Sequence, residues 1–105
     1  MKKIYKEPRT GKTTELIKMC ANFGGYIVCR DRIAAEQTAK MAKDLNYNIP
    51  YPMTFEEFLS GRYHAEGVRK VYIDNADVLL DRLARGVEIA AIAMDDTSKQ
   101  DEMYN

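Results

Sequence analysis

The sequence predicts an α/β fold, a small parallel sheet of about four strands with helices packed against it. Three observations carry this expectation. Short apolar runs alternate with longer runs of helical periodicity, the pattern of successive strand–helix–strand units. Two of the short runs, Tyr26-Ile27-Val28-Cys29 and Val71-Tyr72-Ile73, are apolar without interruption, as strands covered on both faces are. The helical runs are bounded by capping residues and glycines, with few residues spent on linkers. Residues 1–94 are expected to form one domain, and residues 95–105 a polar tail that frays.

Each element has a local reason. Lys2 to Tyr5 reads as strand one, followed by a loop. Thr13 to Asn22 is a helix with Leu16, Ile17 and Cys20 on one face, closed by Gly24-Gly25. Tyr26 to Cys29 is strand two. Asp31 caps a helix that runs to about Leu45, with Ile33, Met41, Ala42 and Leu45 as its apolar stripe. Asn46 to Met53, with Pro50 and Pro52, is irregular or extended. Thr54-Phe55-Glu56-Glu57 has the form of a capping box and starts a short helix ending at Gly61, with Phe55, Phe58 and Leu59 inward. Arg62 to Gly67 is a polar loop, and Val68 to Ile73 is strand three. Ala76 to Arg85 is a helix whose Leu79, Leu80 and Leu83 face the core, ended by Gly86. Val87 to Met94 reads as strand four.

Composition narrows the function classes. The 105 residues are 46% hydrophobic and 30% charged, an ordinary globular profile. Lys+Arg and Asp+Glu both number 16, so net charge announces neither nucleic acid nor an anionic membrane. No apolar run approaches the ~18 residues of a membrane span. The first residues enter a charged strand and carry no signal-peptide pattern, so the cytoplasm is the expected compartment. Cys20 and Cys29 read as reduced core thiols. His64 reads as exposed in its loop. Tyr47, Tyr51, Tyr63 and Tyr72 have no stacking-platform spacing for single-stranded nucleic acid.

The chemistry concentrates in Pro8-Arg9-Thr10-Gly11-Lys12-Thr13-Thr14, between strand one and the first helix. A Gly-Lys-Thr at such a turn builds a phosphate cradle. The glycine lets the backbone approach a phosphate without a Cβ in the way. The N–H groups of the first helical turn point at the anion, and the helix dipole adds attraction. Lys12 is placed to reach the β- and γ-phosphates, and the Thr13 hydroxyl to hold Mg²⁺. Downstream, Val71-Tyr72-Ile73-Asp74 ends an apolar strand in a carboxylate suited to receive that Mg²⁺. Ligands of parallel sheets bind at the carboxyl ends of the strands, and both motifs belong to that edge.

These residues resemble the Walker A and Walker B motifs of the P-loop NTPase superfamily. The resemblance implies a three-layer P-loop sandwich in which Arg9, Thr10, Gly11, Lys12, Thr13 and Thr14 bind the nucleotide and Thr13 and Asp74 hold the metal. Pro52 to Gly61 followed by Val71 to Asp77 looks like the helicase- and terminase-like ATPases. In that branch a strand is inserted between the P-loop strand and the Walker B strand. Val87 to Met94 fills that slot, for a spatial order 1-4-3-2, and Asp95, Asp96 or Thr97 then lies where a polar residue senses the γ-phosphate.

Two residues depart from the pattern. Lys6 stands where the loop's first glycine belongs. Asn75 stands where a water-activating glutamate is usual, and an amide is a poor general base. Asp77, two residues on, is the alternative base, although its plain role is to favour the helix dipole. Lys12, Asp74, Asn75 and Asp77 are the candidate catalytic set. Arg30 and Arg32 follow strand two at the same edge, and their plain reading is surface charge at a helix start.

The resulting expectation is a protein that binds a nucleoside triphosphate, ATP with Mg²⁺, and has weak or partner-dependent ATPase activity. It is completed by a second copy or a larger partner, as an accessory to a nucleic-acid-processing machine of phage or mobile-element type. Two alternatives stand beside it: an interaction protein on a degenerate P-loop fold, and a small nucleotide or nucleoside kinase.

Overall fold

The computed structural model describes residues 11–61 and 67–93. Among them the chain runs through helix α1 (Lys12–Phe23), strand β1 (Tyr26–Cys29), helix α2 (Arg32–Asp44), strand β2 (Met53–Thr54), helix α3 (Phe55–Leu59), strand β3 (Val71–Ile73) and helix α4 (Ala76–Ala84). The strands form one parallel sheet in the order β2-β1-β3. Val28 pairs with Met53 and Cys29 with Thr54 on one side of β1. Tyr26 pairs with Val71, Ile27 with Tyr72 and Val28 with Ile73 on the other.

Alternation along β1 divides the core into two layers. Ile27 and Cys29 point to one face, where they meet Leu16, Ile17 and Cys20 of α1, Ala35 and Ala42 of α2, and Tyr72 of β3. Val28 points to the other face, against Met53, Phe55 and Leu79. Helices α1 and α2 thus cover one face, and α3 and α4 the other. A central strand with both faces covered must be apolar throughout, which explains the unbroken Tyr-Ile-Val-Cys run. Ile17, Ile27, Val28 and Phe55 are fully buried, and each such side chain contributes about 1.5–3 kcal/mol by leaving water.

Local chemistry sets the helix starts. The Asp31 carboxylate caps α2 by accepting the Ala34 N–H at 2.8 Å. Thr54 and Glu57 form the reciprocal capping box of α3: the Glu57 N–H donates to the Thr54 hydroxyl at 3.2 Å, and the Thr54 N–H to the Glu57 carboxylate at 3.1 Å. On the opposite side of the sheet, the Tyr72 hydroxyl donates to the Gly24 carbonyl at 2.9 Å, tying β3 to the turn between α1 and β1. In that turn Gly25 has φ +106°, and a Cβ there would stand 2.7 Å from the Lys70 carbonyl oxygen, so only glycine fits.

Several sequence expectations change. The expected pairing of Tyr26–Cys29 beside the Val71–Ile73 segment holds. The strand expected over Val87 to Met94 does not form: residues 87–93 carry no strand, with Val87 72% and Ile92 59% exposed. Among the described residues β3 is the outer strand on that side of the sheet, and residues 87–93 do not pair with it. The spatial order 1-4-3-2 is therefore replaced, among those residues, by three strands. The third is Met53–Thr54, where the stretch expected to be irregular or extended meets the Thr54 cap; two ladder positions on the edge of β1 suffice to hold it. Strand one, Lys2 to Tyr5, lies outside the described residues, as do His64 and residues 94–105. Helix α2 buries Ala35, Thr38 and Ala42, whereas Ile33, Met41 and Leu45 are exposed. Small side chains let this helix approach α1 and the sheet closely, and the larger ones are displaced to its flanks. Leu83 of α4 is likewise exposed, while Leu79 is buried. No helix among the described residues is long and apolar enough to cross a membrane.

Candidate functional site

The parallel sheet gathers the helix starts at one edge. Helices α2, α3 and α4 each begin within three residues of a strand's carboxyl end. Helix α1 opens at the same edge. Its first turn meets the end of β3, where the Thr13 hydroxyl donates to the Asp74 carboxylate at 2.8 Å, across 61 positions of sequence.

Each side of that contact has a backbone cause. Gly11 precedes α1 with φ +89° and ψ +16°, a left-handed residue that turns the chain into the helix. Its carbonyl accepts the Glu15 N–H at 3.0 Å and closes the first helical bond. Without a side chain, Gly11 offers no cap to the N–H groups of the first turn. Among the described residues, a Cβ built there meets nothing within 4 Å. On the other side, the Asp74 N–H donates to the Val28 carbonyl at 3.0 Å, the last bond of the β1–β3 ladder. Asn75 then adopts φ 58°, ψ 52°, and its carbonyl accepts the Val78 and Leu79 N–H groups to start α4. The ladder therefore ends where the carboxylate of Asp74 leaves the sheet, and Asp74 is buried.

The sequence-derived site residues are distributed as follows. Thr13 and Asp74 are in contact, with Asn75 adjoining Asp74. Lys12 is the first residue of α1 and half-buried. The Thr14 hydroxyl turns from this edge and donates to the Met41 sulfur at 3.6 Å, between α1 and α2. Asp77 is exposed in the first turn of α4. Arg9 and Thr10 lie outside the described residues.

Asparagine at position 75 has a conformational reason. The left-handed region is disfavoured for most side chains and tolerated by Asn. The backbone that turns β3 into α4 thus selects an amide next to the buried carboxylate.

Cys29, at the carboxyl end of β1, lies beside this pair. Burial pushes its thiol up; contact with the Thr38 hydroxyl at 3.6 Å opposes this, and the Asp74 and Asp31 carboxylates reinforce it. A thiol so placed stays protonated and acts as core packing. Among the described residues no three His, Cys, Asp or Glu side chains gather as a metal cage.

Beyond β1 and β2, at the same edge, the structure assembles a groove that the sequence does not announce. Arg30 and Arg32 meet Arg82 of α4 there, with Arg82 stacked over the Phe55 ring at 5.4 Å. Arg82 is 50 positions from Arg32, and no local pattern marks it; only packing of α4 against α3 brings it in. No family model, curated protein or solved structure matches the chain.

Proposed function

We propose that this protein binds a nucleoside triphosphate, ATP with Mg²⁺, where α1 opens against the end of β3. The reading rests most on the Thr13–Asp74 contact. Two residues chosen from sequence for one metal lie within a hydrogen bond of each other, at the edge where parallel sheets bind ligands. The groups fit the ligand chemically. A threonine hydroxyl that donates its proton to a carboxylate keeps its lone pairs for a cation. Magnesium is held well by few protein oxygens together with water and phosphates, so the lack of a cage among the described residues suits it. The ion would neutralise charge on the β- and γ-phosphates. Lys12 and the uncapped N–H groups of the first turn of α1 would orient them.

Hydrolysis is slow, or depends on a partner, because Asn75 takes no proton at the position beside Asp74. The protein acts in the cytoplasm, completed by a second copy or a larger partner. Its assignment to a nucleic-acid-processing machine rests on the resemblance of residues 52–77 alone.

Thermal unfolding with Mg-ATP, Mg-GTP and no nucleotide tests the binding. Ligand at about 100 times its Kd stabilises by about 2.7 kcal/mol. For a domain of this size the melting temperature then rises by roughly 10 °C. Lys12→Ala abolishes the rise. Absence of a shift with every nucleoside triphosphate would leave the interaction-protein reading in its place.

A further inference from the structure

We propose that the arginine groove beyond β1 and β2 is a docking site for an acidic segment of a partner protein that also carries apolar side chains. The groove has a volume of about 680 Å³, within the range of binding clefts. Arg30, Arg32 and Arg82, from two separate parts of the chain, line it; Arg30 pairs with Asp31 at 3.6 Å, which leaves Arg32 and Arg82 to meet a ligand's carboxylates. Guanidinium groups match carboxylates in a forked geometry, which suits acidic side chains.

Two further features select a peptide over a nucleic acid. Ile33 is 67% and Leu59 50% exposed on the groove's flanks, where they offer apolar contact. The one aromatic ring of the lining, Phe55, is fully buried, so no base can stack on it. In addition, Asp31 and Glu56 stand among the arginines. A peptide backbone brings N–H donors to these carboxylates, which a phosphodiester backbone lacks. Neither Thr13 nor Asp74 lines the groove.

The test uses the full chain without nucleotide or Mg²⁺. A fluorescently labelled synthetic peptide of glutamate, leucine and serine is titrated by anisotropy. The same peptide with lysine for glutamate, or serine for leucine, and a labelled oligothymidylate serve as comparisons. The acidic apolar peptide should bind, weaken with salt, and lose about tenfold in affinity when Arg30, Arg32 and Arg82 become Gln. Ile33→Ser with Leu59→Ser, both at exposed positions, should weaken it comparably and guards against a folding defect in the arginine variant. Unchanged binding in both variants overturns the proposal. So does oligothymidylate binding as tightly as the peptide. Neutralising Asp95, Asp96, Asp101 and Glu102 is a third arm: tighter peptide binding then shows that the chain's own acidic residues occupy the groove, and overturns the partner assignment.

Discussion

The Thr13–Asp74 hydrogen bond is open to a double-mutant cycle. Thr13→Val keeps the side-chain shape and removes the donor; Asp74→Ala removes the acceptor. The bond is 2.8 Å long, its acceptor is a carboxylate, and Asp74 is only 8% exposed. Hydrogen bonds to charged groups contribute about 1.5–3 kcal/mol. Thr13 is half-buried, so water competes and the lower end, about 1.5 kcal/mol, applies. Because each single change breaks the same bond, the double variant should lose less than the sum of the singles by about that amount. Independent sites add to within about 0.3–0.5 kcal/mol, so the coupling is measurable. Urea unfolding of the four proteins by circular dichroism reads it: with a slope of about 1–3 kcal/mol per molar, Thr13→Val alone lowers the midpoint by roughly 0.5–1.5 M. Additivity within 0.5 kcal/mol would refute the contact as an energetic link between α1 and β3. Mg-ATP should also stabilise Thr13→Val less than the parent. Equal stabilisation would leave Thr13 a structural role and remove it from the ligand site.

Three further outcomes follow from the same geometry. Gly25→Ala adds about 1–2 kcal/mol of left-handed strain and a 2.7 Å clash with a ladder carbonyl worth about 1–3 kcal/mol, whereas Gly11→Ala carries the strain alone; calorimetry should place Gly25→Ala at least several degrees below Gly11→Ala, and equal melting temperatures would contradict the packing of the α1–β1 turn. Asn75→Glu should raise steady-state ATP turnover ~10²-fold or more with little change in nucleotide affinity, at about 1 kcal/mol of stability for a left-handed glutamate; unchanged turnover means the base belongs elsewhere, and Asp77→Asn then becomes the informative variant. Burial raises the Cys20 and Cys29 thiols and the Tyr72 phenol, so the unfolded chain ionises first and stability falls as pH rises past about 9, the ordinary thiol value; Tyr72→Phe and Cys29→Ser should flatten that fall in a melting series from pH 7 to 11, and a parent curve that stays level would show these groups exposed.

The sequence by itself carried whatever is decided within a few residues. The caps at Asp31 and Thr54, the glycine turn after Phe23 and the buried character of Tyr26–Cys29 are local: a side-chain oxygen reaches an N–H three residues on, and a glycine accepts a backbone others refuse. Thr13 and Asp74 were legible as separate motifs because each needs only its own turn. Tertiary structure decided what depends on neighbours distant in sequence. Val87–Ala93, apolar except for Glu88, does not pair with the sheet, while Met53–Thr54, with weaker intrinsic signal, pairs along β1. Helix α2 turned its small residues inward because the space against α1 and β1 admits no larger ones. The arginine groove formed only when α4 packed beside α3, since hydrophobic burial of Phe55 and Leu79, and no property of the arginines, brings Arg82 to Arg30 and Arg32. Periodicity records which face of an element is apolar. It does not record which other face will meet it, and that meeting is where both the strand order and the groove are settled.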